Sequence, residues 1–221
     1  MHTVIEGGPT FAHIHVDLAP GERLTAEADA MASMAADIGM QARLNGGFFG
    51  ALARRFLGGE SLFVNDFENA TQATRRLTLT QATPGEIRPV ALKQDDGGIC
   101  LQPGAYIAST PGVEIRLRYA GLASFIGREG LFKLHAVGEG TLWYGAYGSL
   151  LEQPVDGEYI VDTGHLVAYD PGLQLKVQLA GGVFASFFGG EGLVTRVEGR
   201  GTIILQTRSL SGLAGWLNPR L

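Results

Sequence analysis

A single cysteine in 221 residues, Cys100, leaves no partner for an internal disulfide, which suits a reducing compartment and an expected cytoplasmic location. Positive charge is also short. Seventeen Lys and Arg face 22 Asp and Glu, for a net charge of -5. A protein that neutralises phosphates needs the opposite balance, so no nucleic acid partner is expected. No run of about 18 uninterrupted apolar residues reads as a membrane span. The first twelve residues lack the basic region and apolar stretch of a signal peptide. Proline is scarce at nine residues, and no Gly-x-y period runs through the chain, so collagen and low-complexity linkers are excluded. Catalytic signatures are missing too. No serine sits in a G-x-S-x-G elbow, no lysine follows a glycine cluster as in a P-loop, and no G-x-G-x-x-G opens a helix. The motifs give no reason to expect an enzyme, a cofactor or a metal.

What the chain has is glycine: 33 residues, about 15% and roughly double the usual share. Combined with alternating apolar runs, this points to many short strands joined by tight turns. Laying the chain on itself exposes internal repetition, the sign of a structure built from stacked units. Asp96-Gly97-Gly98-Ile99-Cys100-Leu101-Gln102-Pro103-Gly104-Ala105-Tyr106-Ile107-Ala108 aligns without a gap on Asp156 to Ala168, sixty positions later. Val16 to Ala26, with Pro20-Gly21, offers a weaker copy. A second block occurs once in each third: Phe56-Leu57-Gly58-Gly59-Glu60, Phe125-Ile126-Gly127-Arg128-Glu129 and Phe187-Phe188-Gly189-Gly190-Glu191.

Period-two alternation over Arg76 to Thr80, Glu114 to Tyr119 and Leu173 to Leu179 predicts strands with one face buried. The Ala- and Met-rich stretch from Glu27 to Met40 invites a helix by propensity. The repeat places it over strand positions, and the repeat takes precedence. The expected architecture is all-β: three tandem units over 1–85, 86–153 and 154–221, packed on one another as one compact chain. The first unit carries an inserted loop or short helix around Gly46 to Phe56.

The Gly-Gly-Glu-Ser-Leu-Phe-Val-Asn block at Gly58 to Asn65, Gly-Ala-Tyr-Ile-Ala-Ser at Gly104 to Ser109 and Gly-Gly-Glu-Gly-Leu at Gly189 to Leu193 resemble a bacterial family related to the yeast altered-inheritance-of-mitochondria protein of mitochondrial biogenesis. The resemblance covers nearly the whole chain. It implies a fold similar to the tryptophan RNA-binding attenuation protein, a short double-stranded β-helix, with three such units per chain and chains associating as trimers. It brings no activity, substrate or catalytic residue. RNA binding does not follow from the fold alone.

Several residues are candidates for an interaction role. Glu60, Glu129 and Glu191 follow Gly-x in turns. Each carboxylate there can accept hydrogen bonds from turn amides, or the three can ring a cation if the units are related by a pseudo-threefold. Phe56, Phe125 and Phe187 sit among glycines beside Phe48-Phe49 and Phe184. Their apolar surface fills an interface between units or subunits, or else meets a protein partner or a membrane surface. The C-terminal Leu210 to Leu217 stretch is similarly apolar. His13-x-His15 lies on a probable strand with both rings on one face, as a metal needs. Cupins, which share the double-stranded β-helix plan, add a glutamate four or five residues on. Ala19 and Pro20 stand there instead, so the sequence shows no third ligand. His135, His165 and Cys100 stand alone and read as packed or surface groups. The leading functional reading is a non-enzymatic oligomeric scaffold or interaction protein. The alternative is a cupin-like small-molecule or metal-binding protein, which includes an enzyme of that kind.

Overall fold

Every strand but the longest two is three to seven residues, and the burial alternates as the sequence does. In β2 (His13–Leu18) the residues Ile14, Val16 and Leu18 point inward while His13, His15 and Asp17 stay at the surface. In β3 (Arg23–Glu27) and β7 (Arg75–Leu79) the same period buries Leu24, Ala26, Leu77 and Leu79. Each fully buried Leu, Ile or Phe side chain contributes about 1.5–3 kcal/mol through the apolar surface it removes from water. The computed structural model describes residues 1–44, 63–119, 132–179 and 193–218.

The described chain is all-β apart from a three-residue 3-10 turn and one short helix. The first sheet runs β1 (His2–Glu6), β2, β7, β4 (Met31–Met34). The second runs β5 (Gly39–Leu44), β6 (Phe63–Glu68), β3, β10 (Tyr106–Ser109), β13 (Gly140–Gly145), β8 (Ile87–Leu92). The third runs β11 (Val113–Tyr119), β12 (Phe132–Gly138), β9 (Ile99–Leu101), β15 (Leu166–Tyr169), β17 (Leu193–Gln206), β14 (Leu150–Asp162), with β16 (Gln174–Leu179) paired to β17. The helix α1 (Leu210–Leu217) starts at Ser209, whose hydroxyl accepts from the Gly212 amide at 3.1 Å and so satisfies one of the helix's unpaired first-turn donors.

The same pairings occur in each third. β5 pairs β6, β11 pairs β12 and β16 pairs β17, all antiparallel. β2 pairs β7, β8 pairs β13, and residues 150–155 of β14 pair residues 201–206 of β17. β4, β10 and β15 pair β7, β13 and β17 with a register slip at one place in each: between Met31 and Ser33, Tyr106 and Ala108, Leu166 and Ala168. Two joints then link one third to the next. β10 pairs β3, with Ala108 opposite Ala26, and β15 pairs β9, with Ala168 opposite Leu101. The cores interleave as a result. Ile107, Ala108 and Trp143 pack with Ile14, Leu24 and Phe67, and Val167 and Ile204 pack with Leu101 and Leu134.

The first third departs from its sequence alignment. Pro20-Gly21 precedes β3, which pairs β6 as β9 pairs β12. Pro103-Gly104, by contrast, precedes β10. Met31–Met34, inside the Ala- and Met-rich stretch, is the strand in the position of β10, and Gly39–Leu44 is the strand in the position of β11. The two Pro-Gly turns that match in sequence therefore lead into different strands, Pro20-Gly21 into β3 and Pro103-Gly104 into β10.

Candidate functional site

Glu60, Glu129, Glu191, Phe56, Phe125 and Phe187 lie outside the described residues, as do Phe48-Phe49, Phe184 and the inserted stretch of the first third. The strands flanking the three segments are paired with each other, Leu44 opposite Phe63, Tyr119 opposite Phe132 and Leu179 opposite Leu193. The isolated residues take structural places. Cys100 is buried in β9. His135 is buried and its Nε2 donates to the Gly97 carbonyl at 2.8 Å. His165 directs Nδ1 at the Gln206 carbonyl, 2.7 Å away.

His13 and His15 are different. Their rings stand edge to face with centroids 4.9 Å apart on the outer face of β2. The third donor that the sequence seemed to lack is present. Antiparallel pairing of β1 with β2 sets Glu6 opposite His13, because Gly7 takes φ +71 and turns the chain back. A Cβ on Gly7 would lie 2.3 Å from the Phe11 carbonyl oxygen, so only glycine fits this close approach. One oxygen of Glu6, Oε2, lies 3.9 Å from Nε2 of His13 and 3.7 Å from Nε2 of His15. Glu6 comes upstream and across a hairpin, outside the four or five residues downstream where the cupin pattern carries its glutamate. The signal was the Gly7-Gly8-Pro9 turn between two alternating runs. Beside these groups, Arg76 binds Asp17 through two hydrogen bonds of 2.8 and 2.9 Å, and those bonds hold the Asp17 carboxyl below the usual aspartate range. His2 lies 4.0 Å from the same carboxylate.

The strand edges form a second feature. At the joints, β10 and β15 each pair a strand of the preceding third. β4 occupies the position of β10 and β15, and it ends its sheet. Residues 158–162 of β14 occupy the position of β3 and β9, since they pair the first half of β17 as those strands pair β6 and β12. Their outer edge has no strand partner among the described residues. Ile160 there is 51% exposed, whereas Cys100 at the same place in β9 is 4% exposed. The surface of α1 is apolar as well, with Leu210 and Trp216 well exposed. No helix among the described residues is long and apolar enough to cross a membrane.

Comparison with known proteins agrees with this architecture. A Streptococcus pyogenes protein solved by X-ray crystallography superposes with a TM-score of 0.80 at 26% identity, over 100% of this chain and 99% of that one. An uncharacterized protein of Streptococcus pyogenes serotype M6 is 28% identical over 230 residues, covering 100% of this chain and 91% of the relative. Residues 3–208 match the family described as mitochondrial biogenesis AIM24. The chain belongs to the mitochondrial biogenesis AIM24 family.

Proposed function

We propose that this protein is a non-enzymatic scaffold that assembles head to tail, β4 of one copy pairing residues 158–162 of β14 in the next. Each chain is then three copies of one unit, close to the thirds 1–85, 86–153 and 154–221, with the second boundary moved to the turn before Leu150. One observation carries the reading. The strand positions that join thirds within the chain, at Ala108 opposite Ala26 and Ala168 opposite Leu101, recur in β4 and in residues 158–162 of β14, where their outer edges have no strand partner among the described residues. An unpaired strand edge with an exposed isoleucine is an aggregation hazard unless something covers it. A second copy offers the complementary edge. By the register of the internal joints, Ser33 would face Val161, as Ala108 faces Ala26 and Ala168 faces Leu101, and Met34 would face Ile160, as Ser109 faces Thr25 and Tyr169 faces Cys100. Such a contact uses two different patches, so it closes into a ring when the rotation per copy permits. Three copies is the expected number. The exposed apolar face of α1 and the three Phe-containing segments would serve a protein partner or a membrane surface, and the single buried cysteine suits a cytoplasmic setting.

Mixing a Met34→Cys chain with an Ile160→Cys chain tests the pairing. Mild oxidation should give a disulfide-linked dimer on a non-reducing gel, with neither variant giving that band alone. Absence of the mixed band would count against the proposed register.

A further inference from the structure

The face of β2 that carries His13 and His15 is separated from the edge strand β4 by β7, and its three donors support an inference that uses none of the residues proposed for assembly. We propose that Glu6, His13 and His15 form a binding site for a transition-metal dication of the Zn²⁺ type. Their donor atoms all lie within 4.8 Å of one another. Ligands of a tetrahedral ion with bonds of about 2.0–2.1 Å sit roughly 3.3 Å apart. The Glu6 Oε2 to Nε2 separations of 3.9 and 3.7 Å therefore need only a small rotation of the Glu6 side chain, which is more than half exposed. The same separations are too long for direct hydrogen bonds. Three donors thus lie close together on one face without satisfying one another.

The surroundings fit a metal rather than a plain charge pair. Ligating histidines hold their second nitrogen on an outer partner, which fixes ring and tautomer. Nδ1 of His15 lies 3.0 Å from the Thr78 hydroxyl. Nδ1 of His13 lies 3.5 Å from the Phe11 carbonyl oxygen, a long contact but one in which the nitrogen can only donate. The first contact leaves Nε2 of His13 free to offer a lone pair toward Glu6, and the Thr78 hydroxyl, which can accept as well as donate, lets His15 do the same. Arg76, whose charge acts on Glu6, is engaged by Asp17, so its repulsion of an incoming ion is largely offset. Two imidazoles and one carboxylate select Zn²⁺, Co²⁺, Ni²⁺ or Cu²⁺ over Ca²⁺ and Mg²⁺, which want oxygen cages. Three protein ligands leave a fourth position for water or an external group.

Titration of the full, chelator-stripped chain with zinc chloride by calorimetry, and with cobalt chloride by visible absorption, tests the site. The expected result is one saturable ion per chain and a tetrahedral cobalt spectrum. Glu6→Gln should weaken binding at least about tenfold, and Thr78→Val, which removes the partner of Nδ1 but no ligand, by about tenfold. His13→Gln/His15→Gln should abolish it, while His2→Gln should bind as the wild type does. All four positions other than Thr78 lie at the surface of the first sheet, and circular dichroism confirms that each variant remains folded. No saturable binding to the wild type, wild-type affinity in the double variant, or loss of binding in His2→Gln would each overturn the proposal.

Discussion

Ala108 lies opposite Ala26, both fully buried, where a strand from the second third of the chain joins the sheet of the first. Ala168 opposite Leu101 makes the same kind of joint one third later, again with both residues fully buried. Strand pairing thus continues across what would otherwise be separate units, and the hydrophobic clusters follow it. Ser33 holds the place of Ala108 and Ala168 in β4 yet is exposed. That contrast between a filled joint and an open one is the basis of the assembly reading.

Asn69 is fully buried and has its hydrogen bonds satisfied. Its Nδ2 donates to the Leu18 and Ala73 carbonyls, each at 2.8 Å, and its Oδ1 accepts from the Thr71 amide and hydroxyl. Replacing it takes a donor from the Leu18 carbonyl and the acceptor from the Thr71 amide, while the Thr71 hydroxyl still reaches the Ala73 carbonyl at 3.0 Å. Asn69→Ala should lose about 2–4 kcal/mol of stability, since buried unpaired groups each cost about 1–3 kcal/mol. Urea unfolding measures this, and a loss below about 0.5 kcal/mol would show that Asn69 is not holding the β2–β3 turn to the chain after β6.

The Asp17–Arg76 pair sets a pH dependence. Its hydrogen bonds depress the folded carboxyl pKa, so the stability it adds is present above the unfolded value of about 3.9 and is lost as pH falls through the folded value. The pair is exposed enough to be screened, so the effect is small. Arg76→Gln should be less stable than the wild type at neutral pH, and the gap should close as pH drops below 4. Urea midpoints measured across that range check the sign. A gap that widens in acid would contradict it.

The strands were legible wherever side chains alternate. Arg76 to Thr80, Glu114 to Tyr119 and Leu173 to Leu179 fall on β7, β11 and β16, because a half-buried strand writes its two faces directly into the order of residues. The short strands showed only through the repeat, which put strand positions on the Glu27 to Met40 stretch, where β4 lies, and at Ile107 in β10. β4, β9 and β10 span three or four residues, and their place is decided by partners dozens of residues away, which local pattern does not encode. Pro20-Gly21 was matched to Pro103-Gly104 for a related reason: turn chemistry repeats wherever a turn is needed, whatever joins it. Glu6 is not legible as a neighbour of His13 and His15 because its approach depends on hairpin register. A His-x-His pattern runs along one strand, whereas these three donors come from two.

Gly97 and Gly98 share a positive φ, 78° and 76°, but not the same space. A Cβ on Gly97 meets nothing within 4 Å, whereas one on Gly98 would lie 2.0 Å from the Ala136 carbonyl oxygen. Gly97→Ala should cost about 1 kcal/mol, the backbone penalty alone. Gly98→Ala must also push β12 away and should cost about 2–4 kcal/mol, with the spread set by how far the turn relaxes. Thermal or urea unfolding of the two variants side by side decides it. Equal losses would mean that the turn does not press on β12.

Sedimentation equilibrium of the purified chain, beside its Ile160→Arg variant, tests self-assembly most directly. The wild type should sediment at three times the chain mass at micromolar concentration. The variant, with a charge where one edge must pair, should sediment as a folded monomer. A monomeric wild type, or a variant that assembles just as well, would mean that β4 and the far half of β14 are simply exposed edges.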